Sequence, residues 1–236
     1  MAKANQRIKI KELEKKLGFE FNDFDLLENA FIHRSYLNEN GNSELSSNER
    51  LEFLGDAVLE LSVTDYLYKH FEKPEGELTS LRSALVRGKN LSRIASNLGF
   101  YNCLYLSEGE KKGSEKAKNL ILANCFEAVI GAIYLDLGFG VASDFINKEV
   151  TSNIDEIIQE KLYIDSKSQY QEIVQDKIKL TPRYEVIEEE GPDHAREFTA
   201  GVFVGEKMIA SGKGLSKSQA EQDAAQNALK LETTSD

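Results

Sequence analysis

The chain has 236 residues, with 29 Lys and Arg against 40 Asp and Glu, for a net charge of −11. That length allows one large or two small domains, and 41% hydrophobic with 29% charged residues is ordinary for a soluble globular protein. The acidic balance excludes a protein that coats nucleic acid through bulk positive charge, though not one that grips it through local basic groups and metal.

No long uncharged apolar run suggests a membrane span, and the Lys- and Asn-rich N-terminus lacks the apolar core of a signal peptide, so a cytoplasmic protein is expected. Ile8, Ile10, Leu13 and Leu17 predict a first helix from Gln6 to Leu17, closed by Gly18. Asn22 or Asp23 caps a second, with an apolar face of Phe24, Leu27, Ala30 and Phe31, ending at His33-Arg34-Ser35. His33 is read as a structural helix-end histidine that meets backbone carbonyls. Tyr36 to Ser47 reads as a polar loop, and Ser47 or Asn48 as the cap of a third helix that runs to His70 or Phe71 before the break at Pro74.

The start of that third helix, Asn48 to Leu61, threads carboxylates through an apolar run. At about 100° per residue, Glu49, Glu52, Asp56 and Glu60 fall within roughly 80° of one another. Like charges at this spacing repel by about 0.2–0.5 kcal/mol on an exposed helix and by more when buried. A bound cation offsets that cost; a solvated acidic face is the competing reading, which Leu51, Phe53, Leu54, Ala57, Val58, Leu59 and Leu61 disfavour.

Beyond Pro74, Glu75 and Glu77 open a helix bearing Leu78, Leu81 and Leu85. Either glutamate reaches the acidic stripe if the helices pack antiparallel, or simply sits favourably at a positive helix end. Leu104 to Lys118 reads as a mobile loop. Leu120 to Leu135 is apolar nearly all round and therefore central, with Cys125 and the earlier Cys103 as buried thiols too few for a disulfide framework or zinc cluster. Within it Asn124 and Glu127 share a face, and a lone carboxylate in such surroundings is paired, protonated or bound to metal. Glu127 with Glu52 and Asp56 makes an oxygen-rich pocket suited to a hard cation such as Mg²⁺; a salt bridge from Glu127 to a buried Arg is the alternative. An amphipathic segment from Val141 to Leu162 closes the helical part.

After a short linker the pattern changes. A helix with Tyr170, Ile173, Val174 and Ile178 precedes strands at Tyr184–Val186, Phe198–Val204 and Lys207–Ser211, and then a last helix rich in Ala, in the order α-β-β-β-α. Ser216 and Gln219 fit a capping box, and Lys217 adds positive charge to the positive end of that helix, a phosphate site on physical grounds.

The run Asn48 to Asp56, the pair Glu75-Gly76, the segment Asn124 to Ala132 and the α-β-β-β-α module together resemble bacterial ribonuclease III over nearly the whole chain. The resemblance implies an all-α endonuclease domain over 6–162, a linker at 163–166 and a small α+β double-stranded-RNA-binding domain over 167–234. It implies a homodimer that hydrolyses double-stranded RNA with Mg²⁺, for which Mn²⁺ substitutes, leaving 5′-phosphate and 3′-hydroxyl ends with a short 3′ overhang, as in processing of ribosomal RNA precursors. Glu52, Asp56, Asn124 and Glu127 fall on the family's metal positions, with Asp56 and Glu127 the most critical. Glu49 and Glu75 match accessory acidic positions. Ser168, Gln171, Glu172 and Gln175 match the first-helix contacts to one minor groove, Gly191 to His194 the loop that enters the next, and Lys217 the basic end of the last helix; Lys213 joins this RNA-binding set.

Three departures from the family's pattern carry expectations. Asn124 stands where Asp is usual, which removes one charge and predicts a higher Mg²⁺ requirement. Ser218 replaces a usual Lys or Arg. From Tyr163 onward nine Lys and Arg face fourteen Asp and Glu, so RNA retention is expected to rest on local groups and to be salt-sensitive. A non-cleaving RNA-binding protein of the same fold is the rival reading, motivated by Asn124 and disfavoured by the repulsive acidic cluster.

Overall fold

The structure is a computed structural model and describes residues 2–41, 45–159, 166–192 and 196–233. Contacts divide the chain into two units, Met1–Tyr163 and Ile164–Asp236, each with its own apolar core.

The first unit is helical. In chain order it contains α1 (Ala2–Leu17), α2 (Phe24–Ala30), α3 (Arg34–Asn40), α4 (Glu49–His70), α5 (Glu75–Leu85), α6 (Gly88–Leu98), α7 (Glu108–Lys111), α8 (Glu115–Glu149) and α9 (Ile154–Gln159). Asp23 caps α2 by accepting from the Asp25 N–H. Pro74 precedes α5 as its N-cap residue, and the α4 boundaries match the carboxylate-rich pattern.

Four local expectations change. His33 does not sit at a helix C-terminus: its Nδ1 accepts from the Ser35 N–H and caps α3, which replaces the first part of the expected loop. Asn48 precedes α4 without a side-chain cap, because its amide instead donates to the Ala30 carbonyl at 3.0 Å. The stretch from Leu104 to Lys118 holds α7, capped by Ser107, and Ser114 then caps α8. Val141 to Leu162 is not one amphipathic helix: α8 ends at Glu149, a 3₁₀ turn covers Thr151–Asn153 and α9 follows, while Leu162 lies outside the described residues.

Helix α8 is long and apolar enough to cross a membrane by length and composition alone, though Glu127 interrupts its apolar run. Its apolarity answers to the protein core instead, since Cys125, Phe126, Ala128, Val129, Ile130, Ala132 and Ile133 are fully buried. At Gly138 the backbone turns to φ 85° and ψ 171°, a conformation that costs glycine little, and the helix kinks there. A second anchor ties the N-terminus down: buried Glu28 accepts from the Tyr105 hydroxyl at 2.6 Å and from Arg7 at 2.5 Å. Burial and the neighbouring carboxylate together push the Tyr105 phenol up, so it stays a donor.

The second unit contains α10 (Ser166–Ile178), strands β1 (Arg183–Glu190), β2 (Glu197–Val204) and β3 (Lys207–Gly214), and α11 (Lys217–Thr233). The sheet is antiparallel in the order β1-β2-β3. Tyr170, Val174, Val202, Ala224, Ala225 and Ala228 form its core, which explains the alanine-rich face of α11. Ser216 accepts from the Gln219 N–H, one half of the expected capping box.

Candidate metal centre and nucleic-acid interface

The acidic cluster forms where α4 crosses α8. A Cβ on Gly55 would lie 1.7 Å from the Glu127 carbonyl oxygen, and one on Gly131 would lie 2.3 Å from that of Leu51. The two glycines therefore face each other's helix backbone and permit a crossing that any side chain would hold apart. Asp56 follows Gly55 in α4, and the close approach is what brings it near Glu127.

A single carbonyl meets the start of α4 and the interior of α8. Ala30 accepts from the Asn48 amide at 3.0 Å and from the Cys125 thiol at 3.5 Å. Asn48 immediately precedes Glu49, and Cys125 lies between Asn124 and Glu127. Thus one backbone oxygen at the end of α2 is hydrogen-bonded beside the acidic residues of both α4 and α8.

Electrostatics show which side chains meet. Burial, and then the charges of Asp56 and Glu52, push the Glu127 carboxyl up to about 7. Burial also raises Glu52, opposed by a hydrogen bond from Asn124 and reinforced by the charges of Glu49 and Asp56. The amide of Asn124 thus acts as a donor to Glu52. Glu49 lies at the rim, held by the Ser47 hydroxyl at 2.8 Å and by Arg34 at 3.4 Å.

Three acidic residues of the sequence pattern stand apart. Glu60 pairs with Arg82 of α5 at 2.9 Å, which explains its place on the stripe without any ligand. Glu75 is exposed and accepts from Thr79 at 3.2 Å. Glu77 pairs with Lys73.

The remaining four donors are all oxygen, or an amide that can turn its oxygen inward, as a hard divalent cation requires. Among the described residues no three His, Cys, Asp or Glu side chains close on one point, so the cluster is open rather than a preformed cage. Like charges keep such carboxylates apart until positive charge enters. Sequence reasoning missed Arg34, Asn48 and the paired glycines. Glycine inside an apolar helix, where it costs about 1 kcal/mol against alanine, was the available signal for the last.

In the second unit Ser168, Gln171, Glu172 and Gln175 are exposed along one stripe of α10, next to buried Tyr170 and Val174. Lys167 bonds to Glu221 at 2.6 Å, which places the start of α10 beside the first turns of α11. Lys217 opens α11, with its ammonium 2.9 Å from Glu189 and 5.6 Å from the Phe198 ring centroid. Lys213 lies elsewhere. A Cβ on Gly212 would meet Ala224 of α11, so alternation turns Lys213 to the opposite face of the sheet, where it pairs with Glu197 at 3.2 Å. His194 lies outside the described residues.

Comparison with known proteins now decides the lineage. The family model described as Ribonuclease-III-like matches residues 23–154, and that of the double-stranded RNA binding motif matches residues 166–232. The chain belongs to the ribonuclease III family. Ribonuclease 3 of Enterococcus faecalis is 45% identical over 93% of this chain and 95% of its own length. Ribonuclease 3 of Oceanobacillus iheyensis is 46% identical over 93% and 96%. The solved nuclease domain of Campylobacter jejuni ribonuclease III is 39% identical, covering 61% of this chain and 94% of that one with a TM-score of 0.54. As a ribonuclease III, the chain carries the family's divalent-metal requirement, which the oxygen donors at the α4–α8 crossing fit.

Proposed function

We infer that this protein is an endoribonuclease that hydrolyses phosphodiester bonds in double-stranded RNA. The observation that carries the reading is the gathering of Glu52, Asp56 and Glu127, the first and last partly buried and Asp56 exposed, at a glycine-mediated helix crossing in a chain that also bears a double-stranded-RNA-binding fold. A structural role alone gives no reason to gather three like charges at a cost in stability.

Glu52, Asp56, Asn124 and Glu127 are the residues that hold the metal in this reading, with Mg²⁺ as the resident ion and Mn²⁺ as a substitute. When bound, the ion supplies charge neutralisation at the phosphate and a more acidic water for in-line attack. The chain's own groups do the rest. Glu127 titrates near neutrality, so it gives up its proton readily as positive charge enters the cluster. Glu52 is kept in place by the Asn124 amide. Arg34, beside Glu49, brings a guanidinium to the rim where a phosphate oxygen arrives. Glu75 is retained as an accessory acidic residue on family resemblance alone. The products are 5′-phosphate and 3′-hydroxyl ends with a short 3′ overhang, and ribosomal RNA precursors with other structured transcripts are the substrates.

The second unit supplies the polymer, through the α10 stripe of Ser168, Gln171, Glu172 and Gln175 in one minor groove, the loop with His194 in the next, and Lys217 on the phosphates. Lys213, on the other sheet face, is the weakest member of the set. Residues 6–162 act as the nuclease domain, 167–234 as the RNA-binding domain, and 163–166 as the linker. The working form is a homodimer in the cytoplasm. Phe53, Leu61 and Tyr68 on α4 are 82%, 58% and 80% exposed, which is the apolar surface a second copy covers.

Incubation with long duplex RNA, with and without Mg²⁺, tests the reading. Wild type is expected to cut only with Mg²⁺ and Asp56→Asn to lose cleavage by at least about a hundredfold while still binding. RNA left intact by wild type with Mg²⁺ favours the rival, a binding protein of the same fold, for which the neutral Asn124 is the one supporting observation.

A further inference from the structure

The candidate phosphate-gripping lysine of the second unit is already engaged. Lys217 Nζ lies 2.9 Å from Glu189 Oε1, and the other oxygen of the same carboxylate accepts from Arg196 at 3.2 Å. Glu189 sits near the end of β1, opposite Phe198 in β2, and Lys217 rests over the Phe198 ring. The lysine is 60% exposed and the carboxylate 35%, so the pair stands at the surface where a duplex would lie.

We propose that Glu189 is an internal competitor for the RNA phosphate: it occupies the Lys217 ammonium in the free protein and must be exchanged for a backbone phosphate before Lys217 grips the duplex. Glu189 thereby sets the RNA affinity of this ribonuclease III without touching RNA. The inference rests on the reading of Lys217 as a phosphate ligand.

The exchange is feasible in both directions. A carboxylate and a phosphate oxygen offer an ammonium the same charge-assisted hydrogen bond. When Lys217 departs, Glu189 keeps Arg196, so no carboxylate is left without a cation. An exposed pair of this kind holds its lysine weakly, and the penalty on binding is correspondingly small and reversible. The same arrangement recurs at the neighbouring Lys167, held by Glu221 at 2.6 Å. A domain with nine basic and fourteen acidic residues from Tyr163 onward therefore keeps two cations near the first turns of α11 occupied until a polyanion displaces their partners.

The test is duplex-RNA binding by the full chain in EDTA, read by fluorescence anisotropy with a labelled duplex of about two helical turns. Glu189→Gln is expected to tighten binding by about two- to fivefold, the range of an exposed ion pair. Glu206→Gln, an equal charge change in the β2–β3 turn at the far end of the sheet, is expected to leave it unchanged. The decisive measurement is the double variant: in a Lys217→Ala background the gain from Glu189→Gln should vanish. Equal effects of Glu189→Gln and Glu206→Gln would mean that only net charge matters, and a gain that persists without Lys217 would mean that the carboxylate acts on the RNA or through Arg196; either overturns the proposal. Should wild type bind no duplex at all, the reading of the second unit as an RNA-binding domain falls with it, a result distinct from the other two.

Discussion

Glu127 is the residue on which burial and charge act most visibly. Its carboxyl is held at about 7 against an ordinary 4.5, so between these values the folded state binds a proton that the unfolded chain has lost. Stability of the metal-free protein therefore falls as pH rises from about 4.5 to about 7. Glu127→Gln removes that slope and is expected to stabilise the metal-free protein at pH 8 by roughly 1–3 kcal/mol after allowance for solvent screening, while abolishing cleavage. Thermal melts of the two proteins in EDTA across pH 4–8 check this; parallel melting curves would refute it. Asn124 tells the complementary story. As an amide it donates to Glu52 and eases the metal-free cluster, at the cost of one negative charge for the ion. Asn124→Asp should lower the Mg²⁺ concentration for half-maximal cleavage several-fold and, in EDTA, lower the melting temperature. An unchanged Mg²⁺ titration would show that this position does not meet the metal. The two cysteines need no such role: burial pushes the Cys103 thiol up to about 11 and the Cys125 thiol well above its ordinary value, as befits inert core groups.

At the scale of elements, the crossing of α4 and α8 governs the site. Gly55 and Gly131 face rigid backbone across it, so neither can accept a methyl group without moving a whole helix. Gly55→Ala is expected to destabilise by about 1–3 kcal/mol or more through overpacking. Cleavage should fall further than stability explains, because separating the helices separates Asp56 from Glu127. Cleavage rates measured well below the melting transition distinguish the two effects, and an alanine variant with full activity would show that the crossing does not position the acids. The pairing of Glu60 with Arg82 has a related lesson: a carboxylate on the metal-facing stripe by helical spacing is claimed by the helix that happens to pack against that turn.

At the scale of the molecule, an enzyme with a net charge of −11 must find its polyanionic substrate through local features. The second unit supplies most of them in this reading. A chain ending at Gln159 should therefore cut long duplex RNA at low salt and lose that ability at a salt concentration where the full chain still cuts, since the full chain starts from a higher affinity and stays above the level that cleavage needs until more salt is added. Equal salt tolerance of the two would show that the first unit alone retains the RNA.

The sequence by itself determined the helix of carboxylates from Glu49, the central apolar helix with Asn124 and Glu127, and the α-β-β-β-α order of the second unit. Each of these is written in local periodicity, because side-chain direction along one helix or strand follows from spacing alone. It also determined family membership, since long motifs such as Asn48 to Asp56 are legible without coordinates. Only the tertiary structure decided that Glu60 belongs to Arg82, that Asn48 and Cys125 share the Ala30 carbonyl, that Lys213 and Lys217 face different ways, and that Glu189 already holds Lys217. Those partners lie 18 to 95 residues apart for Glu60, Asn48 and Cys125, and no local pattern encodes which distant group will arrive. Long-range contact is chosen by packing, and at this protein's acidic cluster packing is set by two glycines whose importance lies in what they leave out.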